Sequence, residues 1–280
     1  MSVDFTSEQL QIRETVTKLC SKFGDDYWLE RDRDGEFPEE FCQAIADNGF
    51  MGIAVPEQYG GAGLGITEAS LLTQAISQSG AGNGGVSSVS IGIFGLNPVV
   101  RYGTEEQKQR MLPGVIKRDD IACFGVTEPN TGLDTTRLKT RATLRGDHYV
   151  VHGQKVWIST AQVANKIMLI ARTTDESETE RPMDGLSLFY TDLDRTKVEI
   201  TEIEKMGRKC VDSNQIFFDG LEIPVEDRIG EEGKGFRYLL HGINPERILI
   251  AAGVVGLGRV ALHRASEYAR ERVVFDRPIG

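Results

Sequence analysis

Apolar residues recur at the spacing of amphipathic helices through the first part of the chain, residues 6–117. Residues 7–16 form one such segment, directly after side chains that can cap a helix. Pro38 opens a second segment, at the first helical position where its missing N–H is tolerated. Residues 67–79 predict a third helix, and Thr104 is placed to cap a fourth. The pattern therefore predicts a helical N-terminal part.

Short β runs replace the helical pattern in residues 119–226. They are rich in β-branched and aromatic residues, and glycines such as Gly146 and Gly220 supply turns between them. The runs are residues 149–158, 166–171, 186–190, 198–203 and 215–219. We predict a small central antiparallel β barrel or sandwich.

Helical spacing returns near the end of the chain, where Asn244–Pro245 is expected to interrupt an apolar face. The predicted fold class is therefore α+β. Its predicted parts are an N-terminal helical domain (1–118), a β domain (119–226) and the start of a C-terminal helical bundle (227–280).

The net charge of −10 argues against nucleic acid or an anionic membrane as the main partner. No transmembrane or targeting segment is evident in the sequence. The histidines are scattered, and no metal-ligand set is predicted. The four cysteines lack CxxC spacing, which indicates reduced thiols. We therefore expect a cytoplasmic protein.

The stretch 123–136 combines an apolar strand with a loop of small and hydroxylated residues. Pro129 breaks the strand, while Asn130 and Gly132 tolerate the dihedrals of a tight turn. Such a loop offers free backbone N–H groups and hydroxyls such as Thr127. It can hold a flat polar ring or a phosphate without a charged side chain.

A second stretch, residues 153–160, is a predicted strand that carries Trp157 and two hydroxyls, Ser159 and Thr160. A tryptophan in a strand has two interpretations. It is either part of the core, or an amphipathic aromatic group that faces a ligand. The residues of this stretch alone leave both open.

These stretches together resemble the acyl-CoA dehydrogenase family. The chain carries VTEPNTGLDTTRLKTRA (126–142), GQKVWIS (153–159), GKGF (233–236) and ERVVFDRPIG (271–280) in the expected order. The resemblance implies a flavoenzyme that uses FAD to convert an acyl-CoA into the trans-2-enoyl-CoA. A glutamate would take the α-proton, and flavin N5 the β-hydride. It further implies an electron-transfer flavoprotein as partner and a homo-oligomer, tetramer or dimer. Family members continue for about a hundred residues beyond this chain, so we expect a short gene or a fragment.

The resemblance assigns flavin contacts residue by residue. Those at the flavin ring and loop are Phe124, Val126, Thr127, Gly132, Trp157, Ile158 and Ser159. Arg272 and Phe275 match a stretch that reaches the diphosphate of a neighbouring subunit's flavin. Relatives usually have Ser at the position of Leu133, which is assigned to the substrate. An acid at Asp276, where relatives have Gly, would weaken the diphosphate contact.

The resemblance also indicates Glu246 as the catalytic base, because a minority of the family places a glutamate just before an arginine at this point. Asn244 and Arg247 are assigned beside the substrate. A first-turn acid after a capping Asn-Pro is equally typical of an ordinary helix start. A base in an absent C-terminal segment is another alternative. For the function of the whole chain, the alternatives are an acyl-CoA oxidase or related flavin enzyme, and a non-catalytic acyl-CoA- or flavin-binding subunit. Acyl length and branching are not predicted.

Overall fold

A computed structural model describes residues 5–280, and a layer of helices forms its N-terminal part. The seven α-helices between residue 5 and the first strand are α1 (Ser7–Cys20), α2 (Asp25–Asp34), α3 (Glu39–Asp47), α4 (Ile66–Ile76), α5 (Gly82–Phe94), α6 (Asn97–Tyr102) and α7 (Glu105–Lys117). Thr6 and Thr104 cap α1 and α7, each through reciprocal bonds with a glutamine three residues on. The helical character predicted for this part is confirmed, although α2, α5 and α6 were not predicted as separate helices.

An eight-stranded sheet follows the helices. Its strands are β1 (Ala122–Gly125), β2 (Arg141–Arg145), β3 (His148–Ser159), β4 (Lys166–Arg172), β5 (Leu186–Asp192), β6 (Val198–Glu202), β7 (Ser213–Pro224) and β8 (Arg228–Ile229). Their order is β6-β7-β3-β2-β4-β5-β8, and β1 lies beside β4. Side chains of the sheet contribute to two apolar core clusters, one with the buried Tyr149 and Phe189 and the other with the buried Tyr190.

The α+β class predicted from the sequence is confirmed, but the sheet is mixed and open, which corrects the all-antiparallel pairing and the closed barrel expected for the β domain. β1 pairs with β4 in parallel, from Ala122 opposite Lys166 to Gly125 opposite Leu169. β2 also meets β4 in parallel, while the remaining pairs are antiparallel. The two outermost strands, β6 and β8, do not pair with each other. The parallel partners are distant in the chain, so local turn signals do not reveal them.

One long helix, α8 (Gly235–Glu271), follows the sheet and continues through Pro245. The interruption predicted at Asn244–Pro245 is therefore wrong. Proline removes one helical hydrogen bond, a cost that tertiary packing can offset. Leu239 and Leu249, on either side of Pro245, are both completely buried, so packing fixes the helix across this point.

Glycines bring α8 close to the N-terminal helices. A Cβ atom on Gly256 would lie 2.3 Å from the carbonyl oxygen of Gln74 in α4. A Cβ on Gly253 would touch Val86 of α5 at 3.4 Å. Close approach of this kind fixes the position of α8 across α5, and the space left beside their contact becomes the cavity described below.

We predicted no membrane-spanning segment, yet α8 is long and apolar enough to be one, with a mean hydropathy of 1.5 over its best 18-residue window. Length and composition do not separate such a helix from a packed helix of a soluble protein. Here α8 packs against α4 and α5 and carries Glu246 and Arg247 within it. The length and hydropathy of α8 are therefore weak support for a membrane location.

Candidate active site

A cavity of about 420 Å³ lies between α5, α8 and the ends of β1 and β3. Each helix contributes side chains at positions i, i+3, i+4 and i+7, which form a single stripe along one face. The stripe of α5 is Ser87, Ser90, Ile91 and Phe94. The stripe of α8 is Ile243, Glu246, Arg247 and Ile250. The two helices therefore provide walls in which four apolar side chains stand beside four polar or charged ones.

The two sequence stretches assigned to flavin meet at this cavity. All seven of their assigned residues line it, namely Phe124, Val126, Thr127, Gly132, Trp157, Ile158 and Ser159. A backbone hydrogen bond from the N–H of Val156 to the carbonyl of Thr127, 2.9 Å long, joins the two stretches directly. Sequence positions about thirty residues apart thus share one surface.

A buried ion pair supports the loop that follows β1. The ammonium of Lys155 lies 2.9 Å from Glu128 Oε1 and also donates to the carbonyl of Val126 at 2.9 Å. Glu128 in turn accepts hydrogen bonds from the backbone N–H groups of Lys139 and Thr140, at 2.7 and 2.9 Å. The pair therefore ties the backbone on both sides of Thr127 to the sheet beneath it.

The environment of this pair changes both pKa values. Burial lowers the pKa of Lys155 to about 8, and the attraction of Glu128 acts in the opposite direction. Burial raises the pKa of Glu128, but Lys155 and the backbone donors outweigh it, so the net direction is down. The lowered pKa of Glu128 favours its ionised form at neutral pH, and a Lys155 pKa of about 8 leaves the ammonium mostly protonated there.

Trp157 faces the cavity because β3 is irregular at this point. The pairing of β3 with β7 shifts register between Lys155 and Ile158, and Trp157 has a φ of +62°. Positive φ is strained for any residue with a Cβ atom. Lys155 and Ile158 are buried, while the indole is 62% exposed. The core interpretation of Trp157 is therefore wrong, since the bulge directs its ring out of the sheet.

Glu246 lies on the α8 stripe and is half-buried. Burial raises the pKa of its carboxyl above the usual 4.5, and the adjacent Arg247 opposes that shift. Glu246 is not in a first helical turn, because α8 begins at Gly235. The alternative that Glu246 is an acid in the first turn of a helix is therefore wrong. A carboxylate that lines a cavity and whose pKa is raised by burial is suited to accept a proton.

The other predicted residues have different positions. Arg247 lines the cavity, and its Nη1 donates to Asn244 Oδ1 at 2.8 Å, while Asn244 itself is exposed. Leu133 lies at the cavity rim and is fully exposed. Arg272 and Phe275 lie beyond the end of α8, around the hairpin formed by β9 (Val273–Val274) and β10 (Arg277–Pro278), and do not line the cavity. Phe275 is 92% exposed.

Sequence reasoning missed the arginine at the polar end of the cavity. Arg208, in the loop between β6 and β7, lines it and donates from Nη1 to Ser87 Oγ at 2.9 Å. The helical spacing of Ser87 and Ser90 was visible in the sequence. No local pattern connects Arg208 to α5, which lies more than a hundred residues earlier in the chain.

The cavity residues fit the ring of a flavin. Trp157 and Phe124 offer aromatic surface, and Thr127 and Ser159 offer hydroxyls at the ring's polar edge. Gly132 leaves open space, since a Cβ atom there would meet nothing within 4 Å. A flat, partly polar ring needs this combination, so the residues present are compatible with FAD.

Comparison with known families identifies three successive matches. The models of the acyl-CoA dehydrogenase N-terminal, middle and C-terminal domains match residues 6–119, 123–221 and 233–280. A curated relative, acyl-CoA dehydrogenase fadE12 of Mycobacterium bovis, is 32% identical over 275 residues, which are 98% of this chain and 70% of the relative.

Solved structures of similar proteins share the fold. Butyryl-CoA dehydrogenase from Megasphaera elsdenii superposes with a TM-score of 0.92 at 27% identity, over 100% of this chain and 72% of that one. A glutaryl-coenzyme A dehydrogenase in complex with glutaryl-CoA gives 0.93 at 28% identity, over 100% and 71%. The chain therefore belongs to the acyl-CoA dehydrogenase family of FAD-dependent enzymes.

Proposed function

We propose that this chain removes the α- and β-hydrogens of an acyl-CoA thioester to give the trans-2-enoyl-CoA. One observation carries the proposal: Glu246, with its raised pKa, shares a cavity with the residues that fit a flavin ring. The α-proton of a thioester is weakly acidic. Its removal therefore needs a base whose pKa is closer to neutrality than that of an exposed carboxyl.

Glu246 is the base in this proposal. Its position on the α8 stripe directs the carboxyl to the space between α5 and the sheet. The carboxyl is partly buried on this stripe, and burial keeps its pKa above that of an exposed glutamate, which prepares it to accept a proton. Arg247 lies beside it, held by Asn244, and would favour the ionised form before the reaction.

The residues at the ends of β1 and β3 would hold FAD, with Trp157 against the ring and Thr127 and Ser159 at its polar edge. Bound FAD supplies the acceptor for the hydrogen that leaves the β-carbon as hydride. The buried Lys155–Glu128 pair would keep the Thr127 loop in place for this contact. The loop thereby orients the cofactor against the acyl chain.

Three further parts of the proposal concern partners and location. An electron-transfer flavoprotein is the proposed electron acceptor. If oxygen reoxidised the reduced flavin faster than an electron-transfer flavoprotein does, the acyl-CoA oxidase alternative would be favoured. Arg272 and Phe275 are proposed to contact the FAD of a second subunit, since both are exposed and lie outside the cavity of their own chain. We propose a cytoplasmic location.

The direct test replaces Glu246 by glutamine, which keeps the shape of the side chain and removes the base. General-base catalysis contributes roughly 10²- to 10⁴-fold. We expect Glu246→Gln to slow flavin reduction by that factor in anaerobic stopped-flow mixing with butyryl-CoA or octanoyl-CoA, while FAD and thioester still bind. The matched control is Glu271→Gln, an exposed glutamate on the same helix. Flavin reduction by Glu246→Gln at the parent rate would place the base elsewhere.

A further inference from the structure

Polarity changes along the cavity from one end of α5 to the other. At the C-terminal end of the helix, Phe94 packs edge-on against Phe124 with ring centroids 6.2 Å apart, next to the proposed flavin site. Ser87 lies two helical turns earlier on the same stripe, which is roughly 10 Å at 1.5 Å per residue. Between these two residues, the cavity is lined by apolar Ile91 on the side of Phe94 and by polar Ser90 on the side of Ser87. An acyl chain that extends from the flavin along α5 would therefore end among polar groups.

Arg208 supplies the charge at this polar end. Its guanidinium is partly buried, lines the cavity and donates to Ser87 Oγ at 2.9 Å. Within residues 5–280 Arg208 forms no ion pair. Asp32 borders a neighbouring cleft that Arg208 also lines, but it does not pair with the guanidinium. The remaining N–H groups of the fork are therefore free for an anionic partner.

Ser87 adds a second group for the same partner. Its oxygen accepts the bond from Arg208, and its own hydroxyl proton has no acceptor among residues 5–280. Ser90 differs, since its hydroxyl donates to the carbonyl of Val86 at 2.5 Å. A carboxylate placed against Arg208 and Ser87 would accept from both side chains, whereas a terminal methyl group would offer no acceptor to the N–H and O–H groups that their mutual hydrogen bond does not use.

We propose that Arg208 and Ser87 form a subsite for a carboxylate at the far end of the acyl chain. The preferred substrates are then CoA monothioesters of short dicarboxylic acids. This inference rests on the proposed function, because it places the acyl chain between the flavin site and α5.

The experiment compares thioesters that match in carbon count and differ in charge: glutaryl-CoA against pentanoyl-CoA, and adipyl-CoA against hexanoyl-CoA. For the FAD-loaded protein, kcat/KM is measured with an artificial electron acceptor, and binding is measured independently by calorimetry. The variants are Arg208→Met and Arg208→Lys. Lys209→Met is the matched control, because it removes the same charge from an exposed neighbour that does not line the cavity.

The parent protein is expected to favour the dicarboxylic member of each pair, in kcat/KM and in affinity. Arg208→Met should reduce this preference by roughly 10- to 100-fold, the range for a hydrogen-bonded charge. Arg208→Lys should restore part of it, since lysine keeps the charge but not the fork. Lys209→Met should retain the parent preference.

Two results would overturn the subsite. One is a parent protein that favours the monocarboxylic thioesters. The other is an Arg208→Met variant that weakens both members of each pair equally, which would assign Arg208 to the CoA moiety that they share. If no thioester reduces the flavin, the proposed dehydrogenation fails, and calorimetry decides the subsite separately. Tighter binding of glutaryl-CoA than of pentanoyl-CoA, lost in Arg208→Met, would still support the subsite. Equal binding of the two thioesters by the parent protein would contradict the subsite.

Discussion

Replacing Lys155 by methionine would remove the buried cation beneath the flavin loop and keep a side chain of similar length. Lys155 is completely buried, and its ammonium contacts both Glu128 and the carbonyl of Val126 at 2.9 Å. The substitution leaves the buried Glu128 carboxylate with two backbone donors and no compensating charge. It also leaves the Val126 carbonyl without its ammonium donor.

The cost follows from the burial of the remaining partner. Removing one member of a buried ion pair typically costs about 3–5 kcal/mol, because the other charge stays desolvated. That is a large part of the roughly 5–15 kcal/mol by which native proteins are stable. At about 2–4 °C per kcal/mol, Tm would fall by roughly 6–20 °C. The loop that carries Thr127 would loosen at the same time, so FAD retention should also fall.

The assay is urea and thermal unfolding of the flavin-free protein, so that cofactor binding does not add to stability. Glu128→Gln and the double variant Glu128→Gln/Lys155→Met complete a double-mutant cycle. We expect the double variant to be clearly more stable than the sum of the single losses predicts. Lys139→Met, an exposed lysine in the same region, is the control and should change stability by less than about 0.5 kcal/mol.

The reasoning would be refuted if Lys155→Met unfolded within a degree or two of the parent protein and retained FAD equally well. Additive losses in the cycle would also contradict it. Either result would mean that the contact between the two side chains does not hold the loop.

The remaining predictions concern the base, the indole and the packing of α8. Burial raises the pKa of Glu246 above 4.5, so the folded protein binds the carboxyl proton more tightly than the unfolded chain. The free energy of unfolding therefore falls as pH rises from 4.5 through the pKa of the folded protein. Glu246→Gln should therefore raise Tm at neutral pH, and the gain should vanish below pH 4.5 in a pH series of thermal melts. Trp157→Gly relieves a positive φ, so the flavin-free variant should be at least as stable to urea as Trp157→Ala, yet lose FAD on ultrafiltration. Gly256→Ala should cost about 1–3 kcal/mol in urea unfolding because its Cβ would collide with Gln74. Gly258→Ala, with open space, should instead stabilise by about 0.5–1 kcal/mol.

Features with a local cause were predictable from the sequence. Thr104 caps α7 because its hydroxyl accepts from a backbone N–H three residues on, a pattern contained within one turn. The site residues at the ends of β1 and β3 entered through resemblance to a family, and the structure brings seven of them to one cavity.

Features with a distant cause were not predictable. The parallel pairing of β1 with β4 joins strands that no turn connects, so the all-antiparallel barrel was wrong, whereas the α+β class was predicted correctly. Pro245 looked like a helix start because the packing of Leu239 and Leu249 cannot be read from the sequence nearby. Trp157 faces outward because of a register shift against β7, and Arg208 meets α5 only in the folded chain. In each case a tertiary contact outweighs the local pattern.

The central claim is that Glu246 and a flavin held by the ends of β1 and β3 act together on an acyl-CoA. The most direct measurement is anaerobic mixing of the FAD-loaded protein with a saturated acyl-CoA, with flavin absorbance and product mass followed together. The account predicts bleaching of the flavin and one equivalent of a thioester lighter by two hydrogens. A flavin that stays oxidised with every thioester tried, or bleaching without that product, would contradict it.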